Sequence, residues 1–196
     1  MSLLRRLLVV ELLIGFAPAP ASAQDRPLLL EGHGGIAVPV GSFADGTALG
    51  RGATAGPTLS VLFAVPGDGR RTLYAGFSQS RFGCEDAGCA PDGRFVATGF
   101  NVGLRFALLT GRMTMPWIRI GAITTRVETD DLPAPDAGVS DLGFGGEAGA
   151  GVYIGGDGPV AVNPAVTFSV VNSTLPGGST LGLRYLTAQL GIVVAF

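Results

Sequence analysis

The 196-residue chain contains no lysine; its 13 basic side chains are all arginine. Schiff-base catalysis and the lysine of a phosphate-binding loop are thereby excluded. Histidine and tryptophan occur once each, at His33 and Trp117, and cysteine twice, at Cys84 and Cys89. Two thiols in one short stretch do not make a metal site, and neither a metal nor a cofactor is expected. Charged residues are only 14% of the chain, against about a quarter in ordinary soluble proteins. Net charge is −2 and no basic run occurs, so no nucleic-acid partner is expected. Beyond residue 23 no apolar run approaches the roughly 18 residues of a transmembrane helix. No helical period, sequence repeat or domain linker is evident.

What the chain has instead is glycine, 32 residues, at about twice the usual share. It also has a leader-like start. "MSLLRR" is positively charged, "LLVVELLIGFA" is apolar, and "PAPASAQ" offers an Ala21-Ser22-Ala23 cleavage site. Residues 1–23 therefore read as a cleaved secretory signal peptide and 24–196 as one mature domain. The rival, an uncleaved anchor, has a short apolar run for a span. In an exported chain, Cys84 and Cys89 of "FGCEDAGCAPDG" are expected to form a disulfide that pins one loop, free thiols being the alternative.

Turn signals divide the mature chain into eight segments of period-two character, over 28–40, 57–65, 72–82, 94–109, 116–128, 142–154, 160–171 and 184–196. Most reach the 9–11 residues that a tilted strand needs to cross a bilayer. The connections alternate. "PGDGRR", "LTGRMTM" and "GGDGP" are short turns, whereas the first, third, fifth and seventh connections are long. Short turns on one side and long loops on the other characterise outer-membrane barrels, and an even strand number puts both termini on the short-turn side.

The faces sharpen this reading. In the last segment Leu186, Ala188, Leu190, Ile192, Val194 and Phe196 share one side, opposite Tyr185, Thr187, Gln189 and Gly191. A soluble sandwich would set its apolar face inward and a charged face in water. Here the second face is Gly, Ala, Ser, Thr, Asn and Gln with isolated charges, which suits a narrow lumen, and the apolar face suits lipid. The expected fold is all-β: an eight-stranded antiparallel up-and-down transmembrane β-barrel, with a secreted sandwich or lipocalin-like barrel as the rival. Pro164 lies on the apolar face of the seventh segment, where it removes a ladder donor.

Two stretches carry a family resemblance. "GGIAVPVGSFADG" looks like the opening of the small eight-stranded outer-membrane barrels, the OmpA/OmpX-like and porin-family proteins. "YLTAQLGIVVAF" resembles their C-terminal assembly signal, with a terminal aromatic at Phe196 after alternating apolar residues. The resemblance spans essentially the whole mature length. It implies an outer-membrane location, lipid bilayer and lipopolysaccharide as surroundings, and a last strand read by the outer-membrane insertion machinery.

Alternation turns five ionisable side chains inward: Glu31, His33, Arg105, Arg119 and Glu147. Arg105 and Arg119 flank one short turn, with Glu31 and His33 toward the same end and Glu147 nearer mid-height. Two carboxylates facing two guanidiniums form a neutral set, as a poorly hydrated interior requires. One reading is a structural plug that seals the barrel. The sharper one is a gate over a narrow pore, made pH-sensitive by His33 because imidazole titrates near pH 6.5. A serine–histidine–acid enzyme is a third reading, disfavoured because no serine partner can be named for the single histidine.

The outer strand ends carry Arg51, Arg81, Arg94, Arg126 and Arg184. Solvated loop edges are one explanation; a ring that contacts lipopolysaccharide phosphates is the other. Trp117 suits an aromatic girdle, with a buried core position as its rival. The overall expectation is a non-catalytic outer-membrane barrel with a filled lumen and a structural or surface-contact role, its extracellular partner unnamed. A narrow channel or carrier for small apolar solutes is the alternative.

Overall fold

Alternation of this kind allows each strand to bury one face and expose the other, and the computed structural model has that arrangement throughout. It describes residues 28–45, 52–67, 70–84, 93–109, 113–129, 137–155 and 159–196. The expected leader (1–23), Arg51 and Cys89 lie outside the described residues. Eight long strands follow in order: β1 Leu29–Pro39, β2 Gly56–Pro66, β3 Arg71–Cys84, β4 Arg94–Ala107, β5 Thr114–Glu128, β6 Gly143–Ile154, β7 Val160–Thr174 and β8 Thr180–Ala195. Each pairs antiparallel with the next, and β8 returns to pair with β1. The sheet is a closed up-and-down barrel, so the sandwich is ruled out. Closure also removes every strand edge, as hydrocarbon demands.

The register fixes the barrel's geometry. A path of directly paired residues runs from Leu29 through Ala64, Tyr74, Gly103, Gly121, Glu147, Ser169 and Tyr185 back to β1 at Pro39. It returns ten residues from its start, a shear of ten for eight strands. With ordinary strand rise and spacing, that shear tilts the strands by about 40°.

This tilt sets heights on the outer surface. Large apolar residues are exposed all round, among them Leu59, Phe63, Phe100, Ile120, Val166, Leu190 and Ile192. At a tilt of about 40°, the apolar zone from Val160 and Ile154 up to Val38 and Phe144 stands about 25 Å tall, the height of a membrane-facing band. A continuous apolar surface of this extent would be insupportable in water. The same geometry brings exposed Arg81, Arg126 and Arg184 to one level within about 1 Å, at the band's upper edge, with Arg94 about 7 Å beyond.

Two expectations about the connections change. β7 and β8 run on to Thr174 and back from Thr180, so the last long loop shrinks to a tight turn over 175–179 in which Leu175 N donates to Ser179 O. The first long connection does not simply project outward. Just past β1 a 3-10 turn, Gly41–Phe43, folds over the lumen and buries Phe43 to 2% exposure. Gly41 opens it at φ +60°, a left-handed conformation that suits a residue with no Cβ. A two-residue segment, Ala53–Thr54, then pairs with the end of β3. Pro164 also finds its explanation, since the β6–β7 ladder is interrupted just where Pro164 sits, between Ala165 and Val162.

Candidate functional site

The inward faces fill the barrel in four levels, beginning at the end where Leu28 and Phe196 exchange backbone hydrogen bonds. At the lowest level Glu31 of β1 is completely buried. Arg105 of β4 grips it with both ends of its guanidinium, Nη1 on Oε1 and Nη2 on Oε2. Tyr153 Oη donates to Oε1 at 2.8 Å and Asn163 Nδ2 to Oε2 at 3.3 Å. His33 Nε2 lies 3.1 Å from Oε2. The carboxylate is thus charge-balanced and saturated with donors, the condition under which a buried ion pair is tolerable. The Arg105 guanidinium rests 4.6 Å from the Trp117 ring, whose Nε1 donates to Asn163 Oδ1 at 3.1 Å.

A second ion pair lies above the first. Glu147 of β6 accepts from Tyr74 Oη at 2.7 Å and from Asn101 Nδ2 at 3.3 Å. Arg119 Nε stands 3.6 Å from Glu147 Oε1, and its Nη2 donates to Thr167 Oγ1 at 3.0 Å. The Tyr74 ring faces both guanidiniums, 5.7 Å from Arg105 and 5.3 Å from Arg119. Glycine on the inner faces makes this crowding possible. A Cβ at Gly103 or Gly121 would strike the Tyr74 hydroxyl, one at Gly151 the Trp117 ring, and one at Gly191 the His33 ring. The glycines are filled against, so they open no pore.

Above the ion pairs is a small chamber lined mainly by hydroxyls, including Thr58, Ser60, Ser80, Thr167, Ser169 and Thr187. Its volume is about 20 Å³, room for a water molecule or two and no solute. An apolar cap closes the far end. Phe43 packs edge-on against Phe82 (5.0 Å between centroids) and Phe95 (5.7 Å), and Phe82 meets Tyr185 at 5.3 Å. Val127, Val171, Leu175, Leu181 and Leu183 complete the cap.

All five inward ionisable residues named from alternation are buried and adjoin one another. Sequence reasoning missed the neutral partners Tyr74, Asn101, Tyr153 and Asn163, and the cap formed by Phe43. Strand parity does turn these four side chains inward, Asn101 and Asn163 among them, but their contacts depend on the shear. Trp117 is not a girdle residue. It is 1% exposed because it shares the parity of Arg119 and packs beneath Arg105. Arg81, Arg94, Arg126 and Arg184 are exposed at the far strand ends, and none has a carboxylate partner among the described residues. Cys84 closes β3.

No protein-family model matches the sequence, and no curated protein matches it. Solved structures do. Neisserial surface protein A superposes with a TM-score of 0.67 at 12% identity, covering 86% of this chain and 97% of that one. The outer membrane protein OprG from Pseudomonas aeruginosa gives 0.63 at 12% identity, over 87% of this chain and 96% of that one. Ail, the attachment invasion locus protein of Yersinia pestis, gives 0.50 at 13% identity, over 87% and 97%. At such identities the likeness is one of fold, and the fold is that of the small outer-membrane barrels.

Proposed function

We propose that this chain is a non-catalytic outer-membrane barrel whose role is structural and in surface contact, with a lumen that is closed at rest. The observation that carries this reading is the Glu31–Arg105 pair, which bridges β1 to β4 across the lumen and has every carboxylate oxygen engaged. A conducting barrel would need that bridge and the Phe43 cap to give way together. The surroundings of His33 support a non-enzymatic reading. Its Nε2 is held at Glu31, and its Nδ1 has no hydrogen-bond partner among the described residues, so no serine is paired with the ring. In this reading Phe196, which is exposed, contacts the insertion machinery during assembly. The arginines at the upper edge of the band face lipopolysaccharide, and Cys84 joins Cys89 to stiffen the second long loop.

The test is reconstitution into planar bilayers after a heat-modifiable gel shift has established the folded barrel. Wild type should pass no steady current. Phe43→Ala at one end or Arg105→Gln at the other should leave the barrel silent, because the Glu147–Arg119 level between them still fills the lumen. Steady ohmic conductance from wild type would overturn the closed-lumen reading in favour of a channel.

A further inference from the structure

The outer face of β3, β4 and β5 differs from the rest of the band in stacking three kinds of surface in order of height. At the band's upper edge stand Arg81 and Arg126, two strands apart and level with each other; neither is ion-paired among the described residues, although exposed Glu128 stands two residues above Arg126 on the same face. Between and just below them is a polar row. Gln79 and Thr98 are directly paired across β3 and β4, Gln79 Nε2 donates to Thr98 Oγ1 at 3.3 Å, and Thr98 is directly opposite Arg126. Phe77 and Phe100 follow, edge to face at 5.5 Å. Beneath these rings the band becomes shallow, because Ala75, Val102 and Ala122 lie side by side in register and leave an apolar groove.

We infer that this face binds one phosphate-bearing lipid of the outer leaflet. Its phosphate sits between Arg81 and Arg126, its polar backbone rests on Gln79 and Thr98, and an acyl chain lies in the Ala75–Val102–Ala122 groove. Guanidiniums suit phosphate because they present paired N–H donors, and at a membrane boundary such charge-assisted bonds are only weakly screened. The groove alone would accept any acyl chain. Together with the arginine pair, at the spacing of headgroup above chain, it selects an anionic lipid. Arg184, at the same height over β8, is the internal control: Leu186 stands below it, with no hydroxyl or amide row between. This inference rests on the membrane reading above and deepens its contact with lipopolysaccharide into one defined site.

The experiment uses the full chain in vesicles of a zwitterionic phospholipid containing a minor fraction of a lipid with a phosphate monoester headgroup. Native mass spectrometry reads which lipid stays bound. Wild type should retain the phosphate-monoester lipid selectively over the zwitterionic phosphodiester host. Arg81→Gln with Arg126→Gln should lower that selectivity about tenfold, the loss expected when charge-assisted bonds go. Ala122→Phe, which fills the groove, should reduce retention of both lipids, and Arg184→Gln should change neither. Added inorganic phosphate should fail to compete; displacement by it would show an ion site and no lipid site. Unchanged selectivity in the double arginine variant, or an equal loss with Arg184→Gln, overturns the proposal. A heat-modifiable gel shift in each variant shows that the barrel is intact. Its absence in wild type would instead sink the membrane reading itself.

Discussion

Tyr74 and Glu147 meet across the lumen: the phenol of β3 donates to the carboxylate of β6 at 2.7 Å. The same ring lies between the two guanidiniums, so one neutral side chain couples two ion pairs that do not touch through their carboxylates. Tyr74→Phe keeps the ring and removes the donor. It should cost about 1–3 kcal/mol, the penalty for a buried acceptor that loses a partner, and less than loss of either arginine. Urea titration of the refolded barrel, followed by tryptophan fluorescence from the neighbouring Trp117, measures this. A midpoint equal to wild type would mean that Asn101 and Arg119 satisfy Glu147 without it.

Arg105 is the harder residue to replace. Arg105→Ala strands Glu31 as a buried charge, and the expected loss is about 3–5 kcal/mol. Arg105→Lys restores the charge but not the two-pronged grip or the flat contact with Trp117, so it should recover only part of that loss. The same urea titration separates the outcomes. Full recovery by lysine would show that charge alone matters at this position.

Gly191 offers a cleaner test of lumen packing. The nearest atoms that a methyl group there would meet belong to the His33 ring, whereas at Gly103 they include backbone. Gly191→Ala should therefore destabilise the barrel, and the effect should largely vanish in a His33→Ala background. A coupling of about 0.5–3 kcal/mol in the double-mutant cycle is expected. Additive effects would mean that the ring moves aside freely.

The inner face was legible in the sequence because strand periodicity is insensitive to small errors at strand ends: Glu31, Arg105 and Glu147 keep their parity wherever a strand begins. Which of them meet was not legible, because partners across a lumen depend on a shear that only the closed register reveals. The path from Leu29 to Pro39 supplies it, and with it the pairing of Glu31 with Arg105 and of Tyr74 with Glu147. Phe43 escaped for a different reason. "VGSFADG" carries turn chemistry, and nothing local distinguishes a turn that projects into solvent from one that folds back over a lumen. Trp117 shows the reverse error, in which a preference for aromatics at membrane boundaries overrode the parity it shares with Arg119.

The pairing of β1 with β8 joins Leu29 to Ala195, the contact of greatest sequence separation in the sheet. Its entropic cost is met only after the intervening strands have been ordered, and this makes closure a late and slow event. Until that seam zips, the growing sheet carries two bare edges, each a row of amides that lipid cannot solvate. A half-built sheet is therefore unsupportable alone in hydrocarbon. The chain must either close in one concerted insertion from the bilayer surface or borrow another protein's strands to shield its edges until its own first and last strands meet.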